Sequence, residues 1–333
     1  MRVAVIGGTG NISTSIVRVL LERGHEVTCF NRGLSGALPE GVRQMTGDRY
    51  DREAFERAMQ AEHFEGVIDM LCYTAEDAES DIRAFSGAGH FVFCSTTCTY
   101  GVDYDWLPVT ENHPQRAFTE YGKNKLAAER VFLREYYRNG FPAVIIRPST
   151  TYGDKLGLLR QIAWDYSWLD RIRKGKPILV SGDGKAIHQF LHVDDAAYGF
   201  VGALEHERCI GQAYNLVRDD YVQFDAYHRT AMEIIGREVP MIGIPLDTLA
   251  AIDLPRFQIC FDEFAFNDYY SCEKIFRDIP EFRPKIGLRE GMTRVLEALD
   301  REGRIPNSDC ISWEDELIER SLALRNYRIP ANE

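Results

Sequence analysis

A short apolar strand, a glycine-rich turn and a helical run follow one another at the start of this chain, and this order strongly constrains the fold. The strand is Arg2-Val3-Ala4-Val5-Ile6, the turn is Gly7-Gly8-Thr9-Gly10, and apolar residues at helical spacing follow from Ile16 to Leu21. Gly7 allows a tight turn, and Gly10 lets the backbone approach a pyrophosphate at the helix amino terminus. Ser13 replaces the third glycine of such motifs and is small enough for close packing. The pattern predicts a dinucleotide-binding βαβ unit.

Strands and helices alternate through the first half of the chain. After the first strand, strand patterns cover 26–30, 42–46, 66–70, 90–94 and 143–147, and helical patterns cover 52–60, 75–85 and 121–139. Parallel strands joined by helices form a doubly wound sheet. We therefore expect an α/β, Rossmann-type doubly wound parallel sheet.

The pattern changes after Arg147-Pro148. A helical pattern covers 158–174, a strand pattern covers 178–180, and His192-Val193-Asp194-Asp195 opens a helix at 196–205. We expect a Rossmann domain at 1–150, with a returning segment near 188–217. The region 151–330 is expected to form mainly a smaller α/β substrate-binding lobe.

The end of the second strand bears on the choice of cofactor. An acidic residue there would favour NAD, but Asn31 stands at that place and Arg32 follows it. A guanidinium suits a 2′-phosphate, so we expect NADP, with NAD and a solvated Arg32 as the alternative. Asp48, after the third strand, could reach the adenine amino group.

Tyr121 and Lys125 are four residues apart in a helical pattern. Residues at this spacing lie on one face of a helix, so the ammonium is expected close to the phenol. A nearby cation lowers the pKa of a phenol and makes it a proton donor and acceptor near neutrality. The same pair is also found on ordinary solvated helices.

Composition indicates a soluble enzyme with a small-molecule substrate. The 333 residues carry a formal net charge of −12, and no Lys/Arg-rich segment offers a basic face, so nucleic acid is not an expected partner. No stretch is long and apolar enough to span a membrane, and no basic leader or signal-like segment opens the chain. We expect a cytoplasmic protein. Eight scattered cysteines lack a zinc-binding spacing, and we predict no metal.

A hydroxyl-rich segment, Ser95-Thr96-Thr97-Cys98-Thr99-Tyr100-Gly101, follows the fifth strand. Together with the glycine turn, the Tyr121/Lys125 pair, Arg147-Pro148 and Gly182-Asp183-Gly184, it resembles the extended short-chain dehydrogenase/reductase superfamily. The similarity is to its NAD(P)-dependent epimerase/dehydratase group, which contains UDP-galactose 4-epimerase, and it covers most of the chain.

The resemblance implies roles for individual positions. Thr96 matches the catalytic Ser/Thr, Tyr121 the proton-transfer tyrosine, and Lys125 the lysine that holds the nicotinamide ribose. The predicted cofactor contacts are Gly7, Thr9, Gly10, Asn11, Ile12, Asn31, Arg32, Asp48, Arg49, Leu71, Tyr121, Lys125 and Pro148. The predicted substrate contacts are Tyr73, Thr97, Thr150 and His188.

The same resemblance restricts the reaction. Sugar dehydratases of this group carry an Asp-Glu pair directly after the catalytic Ser/Thr, where this chain has Thr97 and Cys98. Elimination needs those extra acid and base groups, so dehydration by that route is disfavoured. We expect epimerisation through a transient ketone on a sugar-like molecule, with ketone reduction by NADPH as the alternative.

Substrate recognition departs from the nucleotide-sugar enzymes. They carry an Asn after the Arg-Pro strand end and an Arg after the Gly-Asp-Gly turn, where this chain has Thr150 and His188. A free sugar, sugar acid or glycoside is therefore an equal candidate for the substrate. Trp164 and Trp168 are predicted to lie one turn apart, as core or interface residues or as a platform for a sugar ring.

Two further expectations come from the resemblance. Segments such as His188-Gln189-Phe190-Leu191-His192 also look like a branch that includes chloroplast stem-loop RNA-binding proteins, and the intact Tyr121/Lys125 pair favours the enzyme. Helices such as that at 119–139 form four-helix bundles between subunits in this superfamily, so we expect a homodimer.

Overall fold

A parallel sheet dominates the computed structural model, which describes residues 1–34, 36–252 and 254–326. In chain order, its strands and those of the smaller sheets are β1 (Arg2–Ile6), β2 (Glu26–Asn31), β3 (Arg43–Thr46), β4 (Gly66–Asp69), β5 (His90–Cys94), β6 (Ala143–Pro148), β7 (Thr151–Tyr152), β8 (Ile178–Ser181), β9 (Ile187–His188), β10 (Leu191–His192), β11 (Ala213–Leu216), β12 (Val222–Gln223) and β13 (Met241–Ile244).

Helices separate most of these strands. They are α1 (Ser13–Glu22), α2 (Arg52–Glu62), α3 (Ala75–Ala84), α4 (Glu120–Asn139), α5 (Ser167–Lys174), α6 (Val193–Glu205), α7 (Phe224–Ile235), α8 (Leu246–Ile252), α9 (Glu273–Asp278), α10 (Leu288–Arg301) and α11 (Trp313–Asn326). A 3₁₀ turn covers Thr97–Thr99, and a π-helical turn covers Cys260–Phe264. None of these described helices is long and apolar enough to cross a membrane.

The large sheet has the strand order β11-β6-β5-β4-β1-β2-β3, and every neighbouring pair is parallel. From β1 the chain moves outward to β3 and then returns to place β4 on the other side of β1. Such a reversal opens a crevice at the carboxyl ends of the two central strands, where α/β proteins bind ligands. The predicted Rossmann-type doubly wound sheet is confirmed.

Both faces of this sheet are buried, as its apolar strands require. In β1, Val3 and Val5 pack into one core cluster with α1 and α6, whereas Ala4 and Ile6 pack into the opposite cluster with α2, α3 and α4. Because side chains alternate along a strand, the four apolar residues from Val3 to Ile6 serve both faces.

The chain divides into two compact units. We call the first the sheet unit; it comprises Met1–Lys155, Gln189–Asp220 and Tyr269–Ile286. The second unit comprises Leu156–His188, Tyr221–Asp268 and the described chain from Gly287 onward. That the first unit holds the cofactor and the second mainly the substrate stays a prediction.

The second unit is built from short parallel and antiparallel strand pairs packed with helices. Strand β8 pairs in parallel with β13, and β9 pairs antiparallel with β12. A buried ion pair joins Arg160 to Glu314 on α11, with 2.6 Å between one guanidinium nitrogen and a carboxylate oxygen. The backbone N–H of Leu179 donates to the same carboxylate at 2.9 Å, which ties β8 to α11.

The helix predicted at 158–174 is only half present. Helix α5 begins at Ser167, and the preceding residues bury their apolar side chains in an irregular segment. The indole N–H of Trp168 donates to the carbonyl of Leu158 at 3.1 Å, which holds that segment against the helix. Tertiary burial, rather than a helix, explains the apolar spacing there.

Candidate active site

The glycine turn after β1 is shaped by close contacts that only glycine permits. Gly7 has a φ of 88°, and a Cβ there would lie 2.6 Å from Cγ of Leu71. A Cβ on Gly8 would lie 2.4 Å from the Cys29 sulfur. The turn therefore needs glycine both for its backbone conformation and for its close approach to β2 and to the residues after β4.

The amino terminus of α1 differs from those of the next three helices. Asp51, Thr74 and Thr119 accept a backbone N–H at the starts of α2, α3 and α4, whereas within the described chain α1 has neither a side-chain cap nor an acidic residue in its first turn. Ser15 in the first turn donates its hydroxyl to Asp194 at 2.7 Å, but among the described residues the first backbone N–H groups of α1 have no capping side chain. This suits a pyrophosphate placed beside the predicted contacts Gly10, Asn11 and Ile12.

Asn31 and Arg32 lie at the end of β2. The Asn31 side-chain oxygen accepts from the N–H of Gly33 at 2.8 Å and from Gln44 at 3.1 Å, but its buried Nδ2 donates to none of the described residues. A buried donor without an acceptor is unfavourable, so this atom fits a hydrogen bond to a ligand oxygen. Arg32 is exposed. The residues at this strand end fit the adenosine side of a dinucleotide.

The side chain of Arg49 binds carboxylates of the protein instead of being available to a cofactor. Its guanidinium is buried and donates to Asp69 at 2.8 Å and to Asp81 at 3.0 Å. The side chain is therefore engaged in joining β4 to α3, and only its backbone is left for the predicted contact. Asp48 is exposed, and its carboxylate accepts the N–H of Tyr50 at 2.9 Å.

Thr96 and Tyr121 are brought together beyond the end of β5. The Thr96 hydroxyl oxygen accepts the N–H of Cys98 at 3.2 Å and so caps the 3₁₀ turn. The Thr96 hydroxyl also lies close enough to the Tyr121 phenol to act on its pKa, in the lowering direction. The structure thus places the predicted hydroxyl pair close together.

Gly122 allows Tyr121 to lie this close to Thr96, a role that was not predicted from the sequence. A Cβ on Gly122 would lie 2.6 Å from the Cys98 carbonyl oxygen, closer than side-chain carbons come to backbone oxygens. The start of α4 can therefore press against the 3₁₀ turn, which places Tyr121 beside Thr96. The Tyr-Gly dipeptide before Lys123 was the available signal.

Lys125 is buried, but it does not hold the Tyr121 hydroxyl. Its ammonium donates to the carbonyls of Cys72 and Cys94, both at 2.7 Å, and lies 5.9 Å from the centroid of the Tyr121 ring. Tyr121 as a whole is 47% exposed. The pKa of its phenol is nevertheless raised above the ordinary value, mainly because the phenol is desolvated and also because the Cys94 and Cys98 thiols lie nearby. The expected lowering of this pKa is therefore wrong for this structure, and the phenol is protonated at neutral pH.

A buried polar network supports the carboxyl end of β5. Ser95 donates to Glu129 on α4, and Glu129 also accepts two hydrogen bonds from Arg147, at 2.9 and 2.7 Å. Arg147 donates to the Tyr100 hydroxyl at 2.6 Å, which in turn donates to Asn215 at 2.8 Å. The network links β5, α4, β6 and β11 directly behind Thr96, and rigid support of this kind fixes reacting groups.

The predicted substrate contacts fall into different places. Tyr73 is 40% exposed and its ring centroid is 4.6 Å from the Lys125 ammonium, so it belongs to the cluster of Thr96 and Tyr121. Thr97 is buried and donates to the Pro148 carbonyl at 3.3 Å, so its hydroxyl is already used within the protein. Thr150 is half-buried in the sheet unit. His188 is buried in the second unit and contacts the Phe266 carbonyl at 3.2 Å.

The two tryptophans do not form a platform. Trp168 is fully buried on α5, where it stacks with Tyr227 and meets His228 edge-on. Trp164 precedes the helix and is 53% exposed. Trp168 is a core residue of the second unit.

Comparison with known proteins shows the family of this chain. The model of the NAD dependent epimerase/dehydratase family matches residues 3–216. The chain belongs to this family. It is accordingly an enzyme of the extended short-chain dehydrogenase/reductase type, as the sequence resemblance predicted, and its cofactor class is a nicotinamide dinucleotide.

Three curated relatives differ in activity. The chain is 29% identical to 2'-dehydrokanamycin reductase of Streptomyces kanamyceticus, over 98% of this chain and 92% of the relative. It is 27% identical to chloroplast stem-loop binding protein of 41 kDa b of Arabidopsis thaliana, over 97% and 86%. It is 26% identical to UDP-glucose 4-epimerase of Corynebacterium glutamicum, over 72% and 82%.

Solved structures share the fold at lower identity. UDP-glucose 4-epimerase of Thermotoga maritima, solved with UDP-glucose, aligns with a TM-score of 0.73 and 19% identity over 91% of this chain and 99% of that one. UDP-glucuronic acid 4-epimerase of Bacillus cereus, solved with NAD, aligns with a TM-score of 0.71 and 16% identity over 90% and 97%.

Proposed function

We propose that this enzyme is an NAD(P)-dependent oxidoreductase that reduces a ketone of a sugar-like molecule to the alcohol. The observation that carries the proposal is the placement of a protonated Tyr121 close to the Thr96 hydroxyl and to Lys125. A protonated phenol next to a second hydroxyl is what a ketone oxygen needs as it becomes an alkoxide. A bound nicotinamide dinucleotide would supply the hydride.

In this reaction the side chains act on the carbonyl oxygen. Thr96 donates a hydrogen bond to that oxygen and orients it, and Tyr121 transfers its phenolic proton to it. Tyr73 borders the same place and would contact the substrate. Burial keeps the phenol protonated before the reaction, and this is the state in which it can donate a proton to the carbonyl oxygen.

NADPH is the proposed reductant. The exposed Arg32 is positioned at the end of β2, where Asn31 presents a buried N–H without an acceptor among the described residues. A guanidinium beside the adenosine ribose favours a 2′-phosphate, and no carboxylate follows β2 to oppose it. NAD is the alternative cofactor.

Reduction is preferred to epimerisation because of the relatives. The reductase of Streptomyces kanamyceticus matches almost the whole of both chains, whereas the Corynebacterium glutamicum epimerase matches 72% of this one. Epimerisation through a transient ketone uses the same Thr96 and Tyr121. It therefore stays the second candidate, supported by the epimerase relatives.

The deciding experiment follows cofactor and product together. Purified enzyme is incubated with NADPH or NADH and a panel of keto sugars, keto aminoglycosides and nucleotide sugars, and both absorbance at the nicotinamide band and product stereochemistry are recorded. We expect stoichiometric oxidation of NADPH with one new alcohol. Inversion of a sugar hydroxyl without net cofactor turnover would replace this proposal by the epimerase.

A further inference from the structure

Three side chains that can bind a cation converge in the second unit. They are His188 at the end of β9, Glu263 on the π-helical turn and Asp268 shortly after it. One nitrogen or oxygen atom from each lies within 4.8 Å of the other two. His188 and Asp268 are buried, at 0% and 1% exposure, and Glu263 is half-buried.

The hydrogen bond of His188 decides which ring nitrogen can act as a ligand. Its Nε2 lies 3.2 Å from the Phe266 carbonyl, and since a carbonyl can only accept, Nε2 carries the proton. In the neutral ring, Nδ1 then keeps a lone pair. Nδ1 lies 3.7 Å from an oxygen of Asp268. Metal-binding histidines are commonly oriented in this way by a carbonyl on the other nitrogen.

The electrostatics of this cluster favour a positive ligand. Nδ1 of a neutral His188 ring carries a lone pair, and so do the oxygens of the two carboxyl groups. These atoms lie together in a largely buried place, where a bound cation would be attracted to all three.

We propose that His188, Glu263 and Asp268 form a cation-binding site in the second unit. The cation is either a divalent metal ion that accepts mixed nitrogen and oxygen ligands, such as Zn²⁺ or Mn²⁺, or the ammonium group of an amine-bearing ligand. Ligands at roughly 2.1 Å from a tetrahedral metal lie about 3.4 Å apart, and acceptors at about 2.9 Å from an ammonium nitrogen lie roughly 4.7 Å apart. The measured separation, 3.7 Å between Nδ1 of His188 and an oxygen of Asp268, falls between these, and the three atoms all lie within 4.8 Å of one another.

The inference does not rest on the proposed reaction, because it concerns binding alone.

The experiment measures cation binding to the full chain by calorimetry and by thermal unfolding. Protein freed of metal with a chelator is titrated in one arm with Zn²⁺ or Mn²⁺ and in the other with kanamycin, against kanamycin whose amines are all acetylated and so uncharged. The variants are Glu263→Gln and Asp268→Asn, which remove charge at constant size. Asp262→Asn is the matched control, since Asp262 adjoins Glu263 and instead accepts a hydrogen bond from Gln258 at 2.7 Å.

The expected result is one binding event in the wild type that is weakened at least about tenfold in both variants and unchanged in Asp262→Asn. Binding of the metal assigns a metal site, and binding of kanamycin but not of its acetylated form assigns an ammonium site. The proposal is overturned if neither the metal nor kanamycin binds, or if Glu263→Gln leaves the binding intact. Should the buried Asp268→Asn fail to fold, the half-buried Glu263→Gln still decides, with its thermal unfolding without ligand as the folding check.

Discussion

Tyr121 serves as a proton donor in the proposed reaction, and its removal tests that role. Tyr121→Phe deletes the hydroxyl that lies near Thr96 while keeping the ring. We expect turnover to fall by about 10²- to 10⁴-fold, the usual contribution of a positioned acid. Dinucleotide affinity, measured by fluorescence titration, should change less than about twofold. Tyr137→Phe, on the exposed side of the same helix, is the control; a Tyr121→Phe variant that loses the cofactor instead would contradict the role.

Gly122 is a positioning residue that can be tested separately from Tyr121. In Gly122→Ala the new Cβ would meet the Cys98 carbonyl at 2.6 Å, and a backbone atom yields little, so the start of α4 has to move. A displacement of about 1 Å costs roughly 10²-fold in rate. We expect kcat to fall with KM for NADPH nearly unchanged. Gly87→Ala, where nothing lies within 4 Å of the added Cβ, should be silent; equal activity in both variants would remove Gly122 from the site.

Arg32 determines the cofactor preference in the proposal. Arg32→Ala removes a charge-assisted contact to the 2′-phosphate, so we expect KM for NADPH to rise at least about tenfold while KM for NADH stays constant. Arg130→Ala, an exposed arginine on α4, controls for the loss of surface charge. A parallel change with both dinucleotides would show that Arg32 is a solvated loop residue.

The site illustrates what local sequence can and cannot predict. The glycine turn and Tyr121 were identifiable because their chemistry depends on residue type and short spacing. Arg49 and Thr97 were assigned to ligands, yet each is engaged with partners distant in sequence, Asp81 and Pro148 respectively. Lys125 faces backbone carbonyls of β5 and of the segment after β4 rather than the phenol. Spacing on one helix cannot show where the neighbouring strands end.

At the level of secondary structure, His228 on α7 makes the free energy of unfolding depend on pH. Burial, followed by the charge of Arg160, lowers the pKa of His228 on this helix to about 3. The unfolded chain binds a proton below about pH 6.5, whereas the folded chain does so only near pH 3, so stability present above pH 6.5 is lost as the pH falls between these values. The loss is at most about 1.4 kcal/mol per pH unit.

Urea unfolding of wild type and His228→Asn across that range checks this. We expect the variant to be less stable at pH 7, because a buried ring is lost beside Trp168, and to depend less steeply on pH. His63→Asn, at an exposed position, serves as the control and should keep the wild-type slope. Equal slopes in His228→Asn and wild type would show that His228 does not titrate on unfolding in this range.

The elements themselves were largely predictable wherever periodicity and burial agree. Parallel strands buried on both faces leave continuous apolar runs, and the six predicted strands of the first half are all present. The failure at 158–166 has a physical cause, since the apolar side chains there fill the second unit without a helix. The spacing of apolar residues indicates first that these residues are buried. It is weaker evidence for the type of secondary structure that they form.

For the molecule as a whole, net charge bears on the relative that binds RNA stem-loops. The chloroplast protein aligns over 97% of this chain, so similarity alone does not separate the two activities. A formal charge of −12 opposes contact with phosphates, whose binding requires Lys and Arg to replace counterions. The expectation of no nucleic-acid partner therefore stays a prediction, as does the binding of a dinucleotide by the sheet unit.

The superfamily resemblance predicts a dimer through the helix at 119–139, which is α4 and packs against α3. The exposed residues of the outer surface of these two helices are mainly charged: Glu76, Glu79, Arg83, Lys123, Arg130, Arg134 and Tyr137. Glu79 and Arg134 form an ion pair across the two helices at 3.8 Å. Homodimer interfaces are more apolar than this, because desolvating charges without burying apolar area gains little free energy.

We therefore predict a monomer of 38.1 kDa at micromolar concentration, measured by light scattering coupled to gel filtration. If a dimer did form through this surface, its charges would have to pair across the interface, and Arg134→Glu would dissociate it. A dimer that persists in wild type and is lost in Arg134→Glu contradicts the prediction and restores the superfamily arrangement. A dimer unaffected by Arg134→Glu also contradicts it, and would place the contact on another surface.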